Sequence, residues 1–235
     1  DVGTVQPVET IGMIAYRYGI PFHVDAVQSV GKIKVDTAEI GCDFLTFSSH
    51  KINGPKGVGA IYVKDRAILH SVFCGGGQEK NLRSGTENVP GIVGFGTAAA
   101  ITAANWRENA HRTQELRDYF FARLLSEFKD VKINGSLVRR LPHNINFSFK
   151  NIDGFSLMLL LDSVGIAVST GSACHSDSHE VSHVLQAMGL AEEWQKGTIR
   201  MTLSGQNTKA EMDYVLEMLK AKKQLLAEAE ALYLY

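Results

Sequence analysis

The sequence lacks a cysteine framework, a surplus of charge and any apolar run of membrane length. Its 235 residues contain three widely spaced cysteines and no CxxC pair. Such a pattern argues against structural disulfides and favours a reducing compartment. A net charge of −1 gives no electrostatic footprint for nucleic acid, and no apolar run is long enough for a spanning helix. We therefore expect a globular cytoplasmic or organellar-matrix protein that has neither membrane nor nucleic acid as a direct partner.

Helix and strand patterns alternate through the first half of the chain. The stretch VETIGMIAYRY (Val8–Tyr18) has the period of an amphipathic helix, with Gly19 as the residue that ends it. Short strands are predicted at Ile20–Asp25, Asp43–Phe47 and Gly57–Val63. This alternation is typical of an α/β fold with a mostly parallel sheet and helices on its faces.

The second half predicts a smaller α+β domain. A glycine-rich segment at Phe73–Asn88 is predicted to be irregular, and a long helix follows at Pro90–Arg123. The composition changes near Trp106–Glu115, so we predict two domains, residues 1–105 and 106–235. The elements predicted in the second are strands at Asn144–Phe149, Ile166–Thr170 and Thr198–Leu203 and helices at Gly154–Val164, Glu180–Met188 and Thr208–Leu234.

The nine residues FSSHKINGP (Phe47–Pro55) carry the strongest chemical signal. They place Lys51 where a predicted strand ends, directly after two serines and a histidine. A lysine that is desolvated or close to other positive charge has a lowered pKa, and its free amine can form a Schiff base with an aldehyde. The neighbouring hydroxyl and imidazole groups could donate to a phosphate. The combination suggests pyridoxal phosphate (PLP); the alternative is a solvated turn lysine, the role we expect for Lys56.

Asp25 ends a predicted strand, with Gln28 shortly after it. Open α/β sheets bind ligands at the carboxyl ends of their strands. In PLP chemistry an aspartate there stabilises the protonated pyridine nitrogen, and a glutamine could donate to the phenolic oxygen of the ring. The alternative is that Asp25 caps a helix that begins near Ala26.

Cys174 lies in the polar run STGSACHSDSH (residues 169–179). A cysteine in a small polar loop is accessible, and protonated histidines beside it would lower its thiol pKa. A merely tolerated loop cysteine is one alternative. A metal site is another, although no second cysteine or carboxylate stands at a familiar spacing. Its ligands would be Cys174, His175, His179 and His183.

Two further motifs could bind anions. Arg200 lies in an alternating strand and has the fork geometry that binds a carboxylate with two hydrogen bonds. The run Arg83-Ser84-Gly85-Thr86 offers a guanidinium, two hydroxyls and backbone amides to a phosphate. Each also fits an ordinary solvent-facing role.

Six motifs occur in a fixed order along the chain. They are GTVQP (Gly3–Pro7), HVDAVQSVGK (His23–Lys32), SSHKINGPKGVGAIYV (Ser48–Val63), RSGTEN (Arg83–Asn88), STGSAC (Ser169–Cys174) and IRMTLS (Ile199–Ser204). Together they resemble the cysteine desulfurases, which are fold-type I PLP enzymes related to the class V aminotransferases. The sequence around Cys174 is similar to the long-loop subgroup.

This resemblance implies a cofactor site made of Asp25, Gln28, Ser48, His50, Lys51 and Thr86. Lys51 would bind PLP covalently and would remove the Cα proton of the substrate. Asp25 would pair with the pyridine nitrogen and Gln28 with the ring oxygen, while Ser48 and His50 would hold the phosphate. Thr86 would reach the phosphate of the neighbouring subunit, so a homodimer is implied.

The resemblance also implies a substrate and a sulfur carrier. Arg200 would bind the carboxylate of L-cysteine, and Cys174 would take its sulfur as a persulfide and release alanine. The acceptor would be an iron–sulfur scaffold or a thiolation factor. Two departures are Ser49, where many members have glycine, and the histidine-rich residues 175–179. The alternatives are a selenocysteine lyase or another class V PLP lyase, and a truncated, non-catalytic partner of sulfur-assembly proteins.

Members of the family that the sequence resembles are nearly twice as long as this chain. Residues 1–105 would then be the C-terminal half of the PLP-binding large domain, and residues 106–235 a small domain carrying the cysteine loop. The absent half would supply part of the sheet, one wall of the phosphate site and a histidine that stacks on the cofactor ring.

The 235-residue chain by itself is therefore expected to release little or no alanine or sulfide from L-cysteine, because one face of its cofactor site is missing. Assaying both products with the purified chain at high PLP checks this. Robust release would show that the chain suffices.

Overall fold

The computed structural model describes residues 1–65, 69–170 and 182–232. The chain divides into two compact units: Gln6–Glu108 is one, and Asn109–Tyr235 together with Asp1–Val5 is the other. None of the helices within the described ranges is both long and apolar enough to cross a membrane. The predicted domains, residues 1–105 and 106–235, stay a prediction.

The unit Gln6–Glu108 contains a short sheet and the helices around it. Its elements in order are α1 (Val8–Arg17), β1 (His23–Asp25), α2 (Thr37–Ile40), β2 (Phe44–Ser48), a 3-10 helix (Ser49–Ile52), β3 (Gly59–Val63), α3 (Gln78–Asn81) and the first part of α4 (Val89–Glu127). Helix α1 ends as the sequence predicts, because Gly19 adopts a left-handed φ of 63° and the amide of Ile20 donates to Ala15. The glycine-rich segment contains α3, in which Glu79, Lys80 and Asn81 have positive φ.

The sheet of this unit has the order β1-β2-β3. Strands β1 and β2 are parallel, with His23 opposite Phe44, whereas β3 runs antiparallel to β2. The α/β class is confirmed, but the expectation of a mostly parallel sheet is corrected for the described strands, since one of the two pairings is antiparallel. The physical reason is the short segment between β2 and β3, which leaves no room for the crossover that a parallel return needs.

A small apolar cluster fixes the turn that follows β2. Ile52 and Ala98 are buried, and the ring of Phe47 lies 5.3 Å from the ring of Phe95. The 3-10 helix is thereby packed against the first part of α4. This contact holds the backbone around Lys51 to a rigid support.

The second unit packs helices on an antiparallel sheet of order β4-β5-β6. Its elements are the last part of α4, β4 (Val131–Ile133), β5 (Asn144–Phe149), α5 (Gly154–Asp162), α6 (His183–Ala187), α7 (Glu192–Gln195), β6 (Thr198–Thr202) and α8 (Lys209–Leu232). Ile145, Phe147 and Phe149 alternate along β5 into a fully buried core, which also contains Leu161 and Leu216.

The structure of this unit differs from the predictions in three places. It contains strand β4, for which no prediction was made. The segment Ile166–Thr170 is not a strand: its pairing is a single bridge from Ser169 to Arg200. Helix α6 covers only His183–Ala187 of the predicted Glu180–Met188, whose first two residues lie outside the described part.

Leu161 and Leu159 on α5 test the core assignment, because their side chains are 0% and 53% exposed. Leu161→Ala is expected to lower the free energy of unfolding by about 2–5 kcal/mol through lost burial and a residual cavity. Leu159→Ala should change it by no more than about 0.5 kcal/mol. Urea unfolding of both variants measures the difference, and equal losses would contradict the assignment.

Candidate functional site

The parallel pairing of β1 with β2 brings two predicted site residues to one edge of the sheet. Asp25 is the last residue of β1 and Ser48 the last of β2. Asp25 lies opposite Thr46, and the amide of Ala26 continues the ladder by donating to the carbonyl of Thr46 at 2.9 Å. The carboxyl ends of both strands therefore point the same way, which is where open α/β sheets bind ligands.

The Asp25 carboxylate is held by the backbone two residues further along the chain. Its Oδ1 accepts a hydrogen bond from the amide of Val27 at 2.9 Å. This is the local contact expected of a capping residue, but the residues that follow form turns rather than a helix. Asp25 and Gln28 are both exposed, so the carboxylate and the amide can meet a ligand.

One supporting contact at this edge was not predicted. The Nε2 of His23 lies 3.1 Å from the Oγ1 of Thr46, in a hydrogen bond between β1 and β2. His23 shares a face of β1 with Asp25 because side chains two residues apart point to the same side of a strand. The two-residue spacing in the sequence could have indicated that His23 lies on the same face as Asp25. It could not have identified Thr46 as the hydrogen-bond partner.

The turn after β2 carries His50 and Lys51 on the 3-10 helix. Ser49 closes this turn from both sides: its amide donates to Val58 at 3.2 Å, and its carbonyl accepts from Gly54 at 3.0 Å. His50 is exposed and Lys51 half-buried. The structure thus brings Ser48, His50 and Lys51 together on one short and well-supported turn.

The Ser49 hydroxyl is enclosed at the base of the turn. Ser49 is 0% exposed, and its Oγ has no hydrogen-bond partner among the described residues. A Cβ at Gly54 would stand only 2.2 Å from this oxygen. The close approach leaves no room for a side chain at Gly54, and within the described part of the chain the buried Ser49 hydroxyl has no compensating hydrogen bond.

Thr86 lies in an exposed loop of the same unit. The amide of Gly85, which has a φ of 106°, donates to Oε1 of Gln78 at 3.1 Å. The Arg83 guanidinium donates to the carbonyl of Ser84 and lies over the ring of Phe73. The Arg83 guanidinium is therefore engaged by Ser84 and Phe73 of the same loop. Thr86, by contrast, is exposed to solvent.

Arg200 belongs to the second unit, where its backbone is paired on both sides. It lies opposite Asn146 of β5 and bridges to Ser169, with N–H···O distances of 3.0 and 2.6 Å in the bridge. Arg200 as a whole is half-buried, and its side chain projects from an interior position of β6.

Cys174, the expected sulfur carrier, lies outside the described residues, as do His175 and His179 of the alternative metal site. His183 is described, at the start of α6. Across residues 1–65, 69–170 and 182–232, no group of three or more histidine, cysteine, aspartate or glutamate side chains could hold a metal ion.

The donor set at the edge of the first sheet fits PLP. A carboxylate at the end of β1 suits a protonated pyridine nitrogen, and the hydroxyl and imidazole on the following turn suit a phosphate. The same turn supplies the amine that can bind an aldehyde. All of these groups lie in one compact unit.

Comparison with known proteins decides the family. The family model described as aminotransferase class-V matches residues 1–215. The chain belongs to the class-V aminotransferase family. Members of this family use PLP, so the fold-type I class and the cofactor expected from the sequence are confirmed at the level of the family.

Named relatives of this class-V chain are cysteine desulfurases. It is 46% identical over 220 residues to cysteine desulfurase IscS of Dictyoglomus turgidum, covering 94% of the chain and 56% of the relative. It is also 46% identical over 233 residues to IscS 1 of Archaeoglobus fulgidus, covering 99% and 60%. An X-ray structure of a NifS-like protein from Rickettsia africae matches with a TM-score of 0.85 and 35% identity, covering 95% of this chain and 59% of that one. The class-V chain thus spans a little over half the length of these relatives.

Alanine substitutions of Ser49 and Ser148 test how much the enclosed Ser49 hydroxyl destabilises the fold. Both serines are 0% exposed, but only the Ser148 hydroxyl has hydrogen-bond partners among the described residues. Ser49→Ala is expected to raise the free energy of unfolding by about 1 kcal/mol, since it removes an unpaired buried oxygen. Ser148 bonds to Asn134 and Thr198, so Ser148→Ala should lower it by about 1–3 kcal/mol. Denaturant unfolding of the two variants gives the sign, and a loss of stability in Ser49→Ala would show that its hydroxyl has a partner.

Proposed function

We propose that the protein is a PLP-dependent cysteine desulfurase. It converts L-cysteine to L-alanine and passes the sulfur through Cys174 to an acceptor protein. The observation that carries this proposal is the shared sheet edge, where Asp25 and the turn bearing Lys51 meet at the ends of two parallel strands. The names of the relatives support the same reaction.

Residues of the first unit hold and tune the cofactor. PLP, when bound, supplies an aldehyde and an electron-withdrawing ring that stabilises negative charge at Cα of the substrate. Asp25 would keep the pyridine nitrogen protonated, and Gln28 would donate to the ring oxygen. Ser48 and His50 would bind the phosphate, and the backbone bonds of Ser49 fix their short turn.

Lys51 acts as the base. Its amine removes the Cα proton of bound cysteine and later returns a proton to the carbon that becomes the methyl group of alanine. A lysine can do this only as the free amine. The support of its turn by Ile52 and Phe95 limits how far its backbone can move between these two transfers.

Cys174 carries the sulfur. Its thiolate attacks the sulfur of the substrate, so that an S–S bond forms while the Cβ–S bond breaks. The electron pair of the broken bond remains on carbon and is protonated. L-Cysteine and one enzyme thiol thus become L-alanine and one enzyme persulfide, with no external oxidant or reductant.

Arg200 binds the substrate carboxylate. A guanidinium forms two parallel hydrogen bonds with a carboxylate, which fixes the orientation of the amino acid as well as its charge. Support comes from the double backbone pairing of Arg200 with Asn146 and Ser169, because a side chain on a strand paired at both sides has a well-defined starting direction.

The finer assignments complete this proposal. The exposed Thr86 suits a phosphate contact in a neighbouring subunit, so the functional unit is a homodimer. The acceptor is an iron–sulfur scaffold or a thiolation factor, and the protein acts in the cytoplasm. The names of the relatives favour a cysteine desulfurase over a selenocysteine lyase.

Two lysines in the same turn provide the test. In the complete polypeptide that contains these residues, Lys51→Ala is expected to lower the rate of alanine release from L-cysteine by at least about 100-fold, because the proton transfers lose their base. Lys56→Ala is the matched control and should leave the rate unchanged, since Lys56 is exposed. Visible absorbance of bound PLP and chromatography of alanine measure both. Full activity of Lys51→Ala would refute the proposed function.

A further inference from the structure

One face of β5 carries three buried polar side chains. Asn144, Asn146 and Ser148 alternate along the strand with residues of the hydrophobic core, and each is less than one-tenth exposed. Burial of such groups costs free energy unless each has hydrogen-bond partners. A polar layer inside a small unit therefore calls for a structural or functional explanation.

Asn146 is the member of this layer that lies opposite Arg200, in the antiparallel pairing of β5 with β6. Three residues further along each strand, the amide of Leu203 donates to the carbonyl of His143 at 2.8 Å. Bonded and non-bonded pairs alternate along an antiparallel ladder. Asn146 and Arg200 therefore form a non-hydrogen-bonded pair, the kind in which side chains on the same face stand closest.

The backbone groups of this pair are anchored on its two outer sides. The amide of Arg200 donates to Ser169 at 2.6 Å, and its carbonyl accepts from Ser169 at 3.0 Å. On the other side, the carbonyl of Asn146 accepts from the amide of Asn134 at 3.0 Å. Both backbones are thus fixed, and the two side chains project side by side from them.

Both ends of the Asn146 side-chain amide are hydrogen-bonded. Its Oδ1 accepts from Nδ2 of Asn134 at 2.8 Å, and its Nδ2 donates to the carbonyl of Asp1 at 3.4 Å. Asn146 is only 2% exposed. An amide held at both ends keeps one orientation, and its oxygen has a second acceptor position that an N–H group of a guanidinium can use.

The charge of Arg200 is felt at the same place. Burial, and then the positive charge of Arg200, lower the pKa of the amino group of Asp1. The carbonyl of that same residue is the group to which Asn146 donates. The guanidinium and the Asn146 amide therefore lie in one neighbourhood of the second unit.

An amide suits a position beside an arginine that binds an anionic ligand. A carboxylate in this position would pair with the guanidinium and compete with the ligand. An amide can restrain the guanidinium and leaves its positive charge in place. The three polar side chains that β5 presents on this face are all uncharged.

We propose that Asn146 is a positioning residue for Arg200 and thereby sets how strongly the protein distinguishes ligands that have an α-carboxylate from amines that lack one. This inference rests on the proposed function, in which Arg200 binds the carboxylate of L-cysteine. Pairing through two parallel hydrogen bonds requires the guanidinium and the carboxylate to be aligned. A guanidinium that loses its restraint must be ordered when the ligand binds, which lowers affinity.

L-Alanine and ethylamine test the proposal in the complete polypeptide loaded with PLP, because the two ligands differ only in the carboxylate. Asn146→Ala is expected to raise the dissociation constant of L-alanine about 10-fold, since a charge-assisted pairing is weakened. The dissociation constant of ethylamine should not change. Calorimetry gives both values, and the KM for L-cysteine should rise by the same factor with little change in kcat.

A double variant shows whether the effect passes through Arg200. Arg200→Ala is expected to raise the dissociation constant of L-alanine about 100-fold. Asn146→Ala should add no further loss in that background, because both changes act on one interaction. Ser148→Ala is the matched control, since Ser148 also bonds to Asn134 but lies opposite Thr198, and it should leave the ratio of the two dissociation constants unchanged. If Asn146→Ala does not fold, Asn134→Ala, which removes the donor to the Asn146 oxygen, should change the ratio in the same direction.

The outcomes separate this inference from the proposed function. A wild-type protein that binds L-alanine no more tightly than ethylamine, or an Arg200→Ala variant that binds it as tightly as the wild type, would refute the proposed role of Arg200 and this inference with it. Loss of L-alanine affinity in Arg200→Ala but not in Asn146→Ala would overturn only the role of Asn146. Equal losses for both ligands, an equal change of the ratio in Ser148→Ala, or additive losses in the double variant would also contradict that role, because each indicates a general structural defect.

Discussion

The parallel register of β1 on β2 is the constraint on which the candidate cofactor site depends. With Asp25 opposite Thr46, both strands deliver their last residues to one sheet edge, and the turn bearing Lys51 begins there. A slip of one residue would move Asp25 to the other face of the sheet. The register is held by the buried side chains of Val24 and Leu45 below and by the His23–Thr46 hydrogen bond above. Side-chain packing and hydrogen bonding thus both stabilise the same register of β1 on β2.

In the second unit, both faces of the central strand β5 are buried, so polar side chains on it need hydrogen-bond partners. One face of β5 is apolar, whereas the other carries Asn144, Asn146 and Ser148, all less than one-tenth exposed. These polar groups are stable there because they bond to Asn134, to Thr198, to Arg140 and to the backbone of Asp1. Burial, and then the nearby Arg117, lower the pKa of Arg140 to about 10, yet its guanidinium stays bonded to Asn144. This hydrogen-bonded polar layer lies beside Arg200, since Asn146 is the cross-strand partner of Arg200.

Sequence patterns predicted what is local and missed what is distant. The period of α1, its end at Gly19 and the alternation in β5 were readable from the sequence. Motif order led to the proposal of Asp25, Lys51 and Arg200 as site residues. The direction of β3 and the existence of β4 depend on pairing partners, which propensity does not encode. The contact between Asp1 and Ser182 joins residues 181 positions apart, and no short pattern marks either one. Such contacts are specified only when the whole unit folds.

The central claim is that Lys51, among the lysines of this chain, is the one that binds PLP. Its most direct test is reductive trapping of PLP in the complete polypeptide with sodium borohydride, followed by peptide mass mapping. The account predicts a phosphopyridoxyl group on the peptide containing Lys51 and on that residue within it. A label on Lys56 or Lys32 in its place, or no labelled lysine at saturating PLP, would contradict the account.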